Sequence, residues 1–175
     1  LVQTFVSESF LAEPEHAALL EGIRWEAVKD SVFAQMSDTL TPQGILSVVR
    51  RQERKAEDLF EGKKPLLLVL EDLQDPGNVG TIFRTAEGAG VSGIIMTRNC
   101  VDIYHPKTVR ATMGSIYRVP FLCVEELSPL ITLLKEKDIV TYAAHLKGQE
   151  TYDREDYSRG TAFFIGNEGN GLSEW

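Results

Sequence analysis

The apolar run Leu66–Leu70 organises the hydrophobic pattern of the chain, because it is long enough for a buried strand and ends abruptly. A polar turn follows over residues 71–77. Beyond it, four apolar positions recur at helical spacing: Val79, Ile82, Phe83 and Ala86. This spacing predicts a helix over residues 78–87, ending at Gly88 and Gly90. A strand, a Pro-Gly turn and a polar helix start are typical of a functional site.

The same alternation of strand and helix continues to the end of the chain. The pattern predicts further strands over residues 93–96, 117–122, 139–144 and 161–166, and helices over residues 106–113 and 129–137. Pro120 indicates that the strand at 117–122 is an edge strand or ends there. Strands separated by helices predict an α/β fold with a parallel sheet flanked by helices.

The first 60 residues have a different, mixed pattern. Strand character at residues 2–7 and 45–49 flanks a predicted helix at 14–23, and residues 25–36 are compatible with a short strand followed by a helix at 30–36. The segment Gly62-Lys63-Lys64-Pro65 is the best candidate for a linker. We therefore predict two domains, residues 1–60 and residues 61–175.

Composition narrows the class of protein. The 175 residues are 43% hydrophobic and 25% charged, with a net charge of −8, which disfavours coating of nucleic acid by charge alone. No apolar run reaches the roughly 20 residues that span a bilayer. The two cysteines, Cys100 and Cys123, together with the lack of a secretory signal, predict reduced thiols in a cytoplasmic protein. With no CxxC pair and only three His, we expect no metal site, and with no membrane-spanning run we expect no membrane partner.

Polar residues follow three of the predicted strands, in segments 71–84, 144–148 and 166–171. Ligands of open parallel sheets bind beyond the carboxyl ends of the strands. The last segment, GNEGNG, has three Gly in six positions but lacks the Lys and Ser/Thr of a phosphate-binding loop. Because Glu168 would repel phosphate, the loop better suits a neutral or cationic ligand, such as a nucleoside attached to a sulfonium. The alternative is a tight turn without a ligand.

Single residues leave alternatives open. Asn78 is compatible with a helix cap and Arg84 with a surface cation, although the glycine loop weakens both interpretations. His145 is compatible with a metal or general-base role, but a lone His after a strand is more often a strand-end residue. The basic cluster Arg50, Arg51, Arg54 and Lys55 fits either a solvated connector or a contact to the RNA backbone.

Taken together, the motifs resemble one family. Residues 75–86, DPGNVGTIFRTA, closely resemble the first motif of the SpoU (TrmH) family of RNA ribose 2′-O-methyltransferases in the SPOUT superfamily, and residues 164–172, FIGNEGNGL, resemble its second motif. Residues 105–115 resemble the segment after the family's second strand. Residues 39–50 are similar to the junction that follows the family's ribosomal-protein-like RNA-binding domain.

The resemblance implies an α/β methyltransferase domain with a SPOUT-type trefoil knot, preceded by part of a small α+β RNA-binding domain. It also implies S-adenosylmethionine as cofactor and a homodimer. The residues that match the family's catalytic motif are Asn78 and Arg84, and Glu168 matches a position that would hold the site together. The residues that match its cofactor loops are Ala144, His145, Leu146, Gly166, Asn167, Glu168, Gly169 and Leu172.

The chemistry implied is methyl transfer to a ribose 2′-hydroxyl of structured RNA. Arg84 would orient the hydroxyl and the adjacent phosphate, accepting the proton only in that special setting, and Asn78 would position Arg84 or the ribose. Ribosomal RNA is favoured as substrate and transfer RNA is the alternative. An RNA-binding module without catalysis is a second class, and an unrelated nucleotide-binding α/β protein would not explain the Asn-Arg helix.

The family's third motif, a turn and helix rich in Ser, Leu and Asn, would follow Trp175. That segment closes the knot, completes the cofactor pocket and supplies much of the dimer interface in the family. We therefore expect the chain to be the interior of a longer protein. A species that ends at Trp175 should bind S-adenosylmethionine poorly.

Overall fold

The structure, a computed structural model, describes residues 1–51, 54–60, 62, 64–145, 147–148 and 150–173. The chain divides into two compact units, Leu1–Gln52 and Glu53–Trp175. No helix within the described ranges is long and apolar enough to cross a membrane.

The first unit is a small mixed sheet with short helices. Its elements are β1 (Gln3–Ser7), α1 (Glu8–Leu11), a 3-10 helix (Pro14–Leu20), β2 (Trp25–Val28), α2 (Asp30–Met36) and β3 (Ile45–Val48). Strand β1 lies in the centre, parallel to β2 and antiparallel to β3. The predicted helix at 14–23 is a 3-10 helix and ends at Leu20, because Glu21 is extended and Gly22 has a φ of +72°.

The second unit is a parallel α/β domain, which confirms the predicted fold class. Its elements are a 3-10 helix (Ala56–Phe60), β4 (Leu66–Leu70), α3 (Pro76–Gly88), β5 (Gly93–Thr97), α4 (Pro106–Thr112), a 3-10 helix (Ser115–Tyr117), β6 (Phe121–Val124), α5 (Leu127–Glu136), β7 (Val140–Ala143), a 3-10 helix (Tyr152–Arg154) and β8 (Thr161–Ile165). The described residues form a five-stranded sheet of order β6-β5-β4-β8-β7, with parallel pairing throughout.

Both faces of this sheet are covered at its centre, which is why the central strand β4 is continuously apolar. On one face, buried side chains such as Val69 and Phe164 pack in a cluster with Leu130 and Leu134 of α5. On the other face, Leu70 and Met96 belong to the cluster that includes the buried stripe of α3. The centre of the sheet is β4, so the segment that follows it leaves from the middle of the domain.

The prediction for residues 117–122 was wrong at its start. Residues 115–117 form a 3-10 helix and the strand begins only at Phe121, directly after Pro120. Proline has no N–H to donate to a sheet, whereas the Pro120 carbonyl accepts a hydrogen bond from Ile94 N at 2.9 Å. Pro120 indicated an edge strand or a strand end, and both apply, because β6 lies at the edge of the sheet and begins directly after Pro120.

The boundary between the units lies earlier than residue 60. Leu59, which the prediction placed in the N-terminal domain or its linker, is fully buried in the core of the second unit. A Cβ at Gly93 of β5 would lie 2.6 Å from Leu59 Cδ2, so the Ala56–Phe60 helix packs directly against this strand. The assignment of an RNA-binding domain to the N-terminal residues stays a prediction.

Helices α3 and α4 approach closely at Gly80. A Cβ there would lie 2.3 Å from Ala111 Cβ and 2.6 Å from the Ala111 carbonyl carbon. We expect Gly80→Ala to lower the free energy of unfolding by about 1–3 kcal/mol, since the overlap outweighs the gain in helix propensity. Urea denaturation measures the change.

A control for this substitution exists on the same helix. A Cβ at Gly88 meets nothing within 4 Å, and its φ is not in the left-handed region. Gly88→Ala should therefore be neutral or stabilise by up to about 1 kcal/mol. Equal effects of the two substitutions would contradict the close packing of α3 on α4.

Candidate active site

The polar segments singled out in the sequence leave three neighbouring strands. Strands β4, β8 and β7 are adjacent and parallel, so the residues after Leu70, Ile165 and Ala143 start from the same edge of the sheet. The first two segments contact each other directly, which brings residues 71–78 together with residues 166–173.

Asp75, not Asn78, caps helix α3. Its carboxylate oxygen Oδ1 accepts a hydrogen bond from Asn78 N at 2.7 Å, and Pro76 occupies the first helical position. This arrangement of Asp followed by Pro is a favourable helix start. Because Asp75 supplies the cap, the Asn78 side chain is available for another partner.

That partner is Glu168 in the glycine loop. Glu168 Oε1 accepts hydrogen bonds from Asn78 Nδ2 at 3.2 Å and from Asp75 N at 3.1 Å, and Oε2 accepts one from Gln74 N at 3.1 Å. Burial opposes ionisation, but the loop's own N–H and the Gln74, Asn78 and Asp75 donors outweigh it. Together they lower the pKa of Glu168 from 4.5 to about 2. The carboxylate therefore stays ionised and joins the two segments at neutral pH.

Asn167 shapes the glycine loop from within. Its Oδ1 accepts hydrogen bonds from Gly169 N and Asn170 N, both at 2.9 Å, and its backbone pairs with Gly171. Its Nδ2 donates to the Asp72 carbonyl at 2.7 Å. The predicted cofactor residue Asn167 thus fixes the loop and ties it to the end of β4.

Asp72 has an unusual backbone that sequence reasoning missed. Its φ is +56°, a region that non-glycine residues seldom adopt. Asp72 N donates to Thr97 Oγ1 at 2.9 Å, and Thr97 Oγ1 donates to Asp72 Oδ1 at 2.7 Å. These bonds to the end of β5 stabilise the turn that aims the Asp72 carbonyl at Asn167. No local sequence signal marks this conformation.

Glu71 is a second residue that the sequence did not indicate. It is buried, and its carboxylate accepts hydrogen bonds from Ser173 N at 2.9 Å and from Ser173 Oγ. A cleft of about 230 Å³ opens beside it. The cleft is lined by Glu71, Asp72, Gln74, Asn167, Asn170, Gly171, Leu172 and Ser173. Carboxylates and amides dominate this lining, so the cleft is suited to a ligand with positive charge.

Gly166 is required where the loop folds back on itself. A Cβ at this position would lie 2.2 Å from the Gly171 carbonyl carbon and 2.3 Å from Leu172 N. We expect Gly166→Ala to lower the free energy of unfolding by about 1–3 kcal/mol, because backbone atoms must move. Thermal denaturation followed by circular dichroism measures the loss.

Gly169 in the same loop provides the comparison. A Cβ there would lie 3.6 Å from Asn167 Oδ1, an ordinary contact distance. Gly169→Ala should therefore unfold within a few degrees of the unchanged protein. A stability loss as large as that of Gly166→Ala would show that the loop is not as closely folded as described.

Arg84 lies on α3, about 9 Å along the helix axis from Asn78. Its side chain is exposed, and no ion pair or hydrogen bond found among the described residues involves its guanidinium. The amide nitrogen of Asn78 donates to Glu168, not to Arg84. The site therefore has a fixed part around Glu168 and an available cation further along α3.

The segment after β7 is less tied to the cluster. Ala144 and His145 are exposed, and His145 Nδ1 accepts a hydrogen bond from Lys147 N at 3.0 Å. Leu146 lies outside the described residues. Within the described part of the chain, His145 belongs to no group of three or more side chains that could hold a metal ion. The local bond to Lys147 is typical of a strand-end residue.

The fold and the site define the class of protein: an α/β domain with a parallel sheet and a cleft, lined by carboxylates and amides, at the carboxyl ends of its strands. The chain belongs to the SpoU rRNA Methylase family, whose family model matches residues 65–175. This confirms the family resemblance of the motifs at residues 75–86 and 164–172.

Relatives and a solved structure agree with this assignment. The chain is 34% identical to an uncharacterized tRNA/rRNA methyltransferase of Synechocystis over 96% of its length, and 31% identical to the 23S rRNA (guanosine(2553)-2′-O)-methyltransferase RlmP of Bacillus subtilis over 86%. It spans 58% of each of these two proteins. The fold matches an AdoMet-bound rRNA methyltransferase from Sinorhizobium meliloti with a TM-score of 0.79 and 28% identity, over 98% of this chain and 65% of that one.

Proposed function

We propose that the protein transfers a methyl group from S-adenosylmethionine to a ribose 2′-hydroxyl of ribosomal RNA. The observation that carries the proposal is the Glu168 carboxylate, which binds Asn78 and the N–H groups of Gln74 and Asp75. It joins the glycine loop to the helix that carries Arg84. Family membership and the rRNA substrates named for relatives support this reading.

The residues present fit the cofactor in charge. Glu71 and Asp72 line the cleft, and Glu168 is hydrogen-bonded to Gln74, which also lines it. These carboxylates favour a sulfonium and disfavour a bare phosphate. S-Adenosylmethionine, when bound, supplies an electrophilic methyl group. We propose that Gly166, Asn167, Gly169 and Leu172 hold it, together with Ala144, His145 and Leu146 from the segment after β7.

Arg84 is proposed to act on the RNA. Its guanidinium is exposed and carries several N–H donors in a planar fork, which suits a phosphate and a neighbouring hydroxyl oxygen. We propose that it holds the ribose 2′-oxygen in line with the methyl group, at about 3 Å from it. The role of Asn78 and Glu168 is to fix the start of α3 against the glycine loop, and thereby the direction in which Arg84 points.

Methyl transfer assayed with the full-length protein tests this proposal. Labelled S-adenosylmethionine is supplied with ribosomal RNA or transfer RNA from cells that lack the gene. Label in ribosomal RNA, within dinucleotides that resist alkaline hydrolysis, is the expected result, because alkaline cleavage needs a free 2′-hydroxyl. Label on a base would contradict ribose specificity, and label in transfer RNA alone would contradict the substrate class.

The test also separates enzymes from non-catalytic binders. RNA binding without any methyl transfer would favour an RNA-binding module of the same fold.

We further propose that the protein is a homodimer, as the family resemblance implies. Sedimentation at micromolar concentration checks this, and a monomer at all concentrations would contradict it.

A further inference from the structure

Two large apolar side chains are exposed where α4 ends. Met113 is 70% exposed and Tyr117 is 57% exposed, although Ser115 and Ile116, which directly precede Tyr117, are buried. We propose that this Met113–Tyr117 surface stacks against an unpaired RNA base next to the target nucleotide. The inference rests on the proposed function, because it places the surface beside the residue proposed to hold the ribose.

The surface is rigidly held. Met113 and Gly114 both have left-handed backbones, with φ of +49° and +85°. For Met this conformation is unfavourable, so the surroundings must stabilise it. Ser115 Oγ donates to the Thr112 carbonyl at 2.7 Å, which fixes the bend from the buried side. The exposed side chains therefore project from an ordered turn.

A second contact fixes the far end of the turn. The Arg118 guanidinium donates two hydrogen bonds to the Glu87 carboxylate of α3, from Nε and, at 3.0 Å, from Nη2. A Cβ at Gly114 would lie 3.2 Å from Arg118 Nη1, so the guanidinium passes close to the bend. The pairing also neutralises Glu87, which would otherwise repel RNA near this surface.

Contacts of two other α3 residues show on which side of the helix Arg84 lies. Gly80 meets Ala111 of α4, and Glu87 binds Arg118 just after the 3-10 helix. Arg84 follows Gly80 by four residues and precedes Glu87 by three, so all three share one side of α3. Arg84 therefore lies on the side of α3 that packs toward α4 and the turn after it, with its guanidinium exposed to solvent.

An RNA base fits this surface better than a second copy of the chain. The Tyr117 ring and the Met113 thioether can stack on a base, and the Arg84 cation on the same side of α3 can bind its phosphate. Stacking on Tyr is a general means of binding unpaired bases. A ribose in stacked RNA is hard to reach, so the target nucleotide must leave the stack and expose its neighbour. A stable dimer interface buries about 800 Å² per partner, which two side chains do not supply.

The test uses the full-length protein and a transcript of the host's large-subunit ribosomal RNA. Tyr117→Ala should weaken RNA binding about 5- to 100-fold, whereas Tyr117→Phe, which keeps the ring, should bind within about twofold of the unchanged protein. Met113→Ala should have a smaller effect in the same direction. Affinity for S-adenosylmethionine, measured by calorimetry, should not change. Tyr152→Ala, at an 82% exposed position on the Tyr152–Arg154 3-10 helix, is the control and should bind RNA normally.

Ultraviolet cross-linking of the unchanged protein gives a second readout that does not depend on a variant. The peptide carrying Tyr117 should be found attached to RNA. Normal RNA affinity of Tyr117→Ala in a protein that methylates RNA would overturn this inference alone. Loss of RNA binding in Tyr117→Ala without methyl transfer by the unchanged protein would refute only the proposed function. Conversion of a dimer to a monomer by Tyr117→Ala would instead assign the surface to a second copy.

Discussion

Replacing Arg84 with Ala is expected to lower the rate of methyl transfer by about 100- to 1000-fold, the loss typical of removing a donor aimed at the reacting oxygen. Affinity for S-adenosylmethionine should stay within about twofold, because Arg84 is exposed and makes no contact with the Glu168 cluster among the described residues. Single-turnover methyl transfer at saturating RNA and cofactor measures the chemical step, and calorimetry measures cofactor binding.

Arg84→Lys is a more specific test, because it keeps the positive charge and removes the planar set of N–H donors of the guanidinium. Lysine is a point charge and cannot hold a phosphate and a hydroxyl in one plane, so a loss of at least about tenfold is expected. Arg159→Lys is the matched control, because Arg159 is an exposed arginine that pairs with Asp138 before β8, away from the carboxyl ends. A full methylation rate with normal RNA affinity in Arg84→Lys would show that Arg84 does not orient the ribose.

The strands of the second unit were predictable because a strand that is buried on both faces of a sheet consists of consecutive apolar residues. Leu66–Leu70 has the predicted bounds, and the strand predicted at 161–166 is one residue longer than Thr161–Ile165. The failure at residues 115–124 has a physical cause. Ile116, Val119 and Phe121 all contribute to one core cluster, although only Phe121 lies in the strand. Apolar spacing alone does not distinguish a 3-10 turn from a strand.

The order of the strands was not predictable from local pattern. Strand β4 pairs with β8, whose residues lie 95 positions further along the chain. This pairing is what brings the glycine loop to the turn after β4. The sequence indicated that both segments are polar and follow strands, but only the general rule for parallel sheets suggested that they meet.

Some residues of the candidate site were predictable from the sequence and others were not. Asn78, Glu168 and Asn167 could be selected because they match positions of the two family motifs. The partners of Glu168 could not, since two of them are backbone N–H groups, of Gln74 and Asp75, and every residue but proline has one. Asp72 was missed because nothing in its neighbours predicts a φ of +56°. The Asp75 cap was predictable from the Asp-Pro pair, yet the predicted helix started at residue 78, two residues after the helix begins at Pro76.

Replacing Glu168 with Gln is expected to lower methyl transfer by about 100-fold, through loss of position and not of a reacting group. A glutamine amide can accept at one oxygen only, so at least one of the donors Gln74 N, Asp75 N and Asn78 Nδ2 loses its acceptor. The glycine loop and the start of α3 are then no longer joined as described. Initial rates at saturating substrates measure the loss.

The same substitution should lower stability in a way that depends on pH. The native state holds the pKa of Glu168 at about 2, below its ordinary value of 4.5, so the unfolded chain binds the proton more readily. The stabilisation by this carboxylate is therefore fully present above about pH 4.5 and declines as the pH falls from 4.5 toward 2. The melting temperature of Glu168→Gln should lie below that of the unchanged protein at pH 7, and the gap should narrow between pH 5 and pH 3.

Glu136 on α5 provides the matched control for Glu168. Glu136→Gln removes a carboxylate that is exposed at the end of α5, and its melting temperature should follow that of the unchanged protein at every pH. If the difference in melting temperature between Glu168→Gln and the unchanged protein stayed constant from pH 7 to pH 3, the hydrogen-bond donors would not lower the pKa of Glu168 in the native state. If methyl transfer fell while the two melting temperatures agreed at every pH, Glu168 would act on a ligand and not by joining the glycine loop to α3.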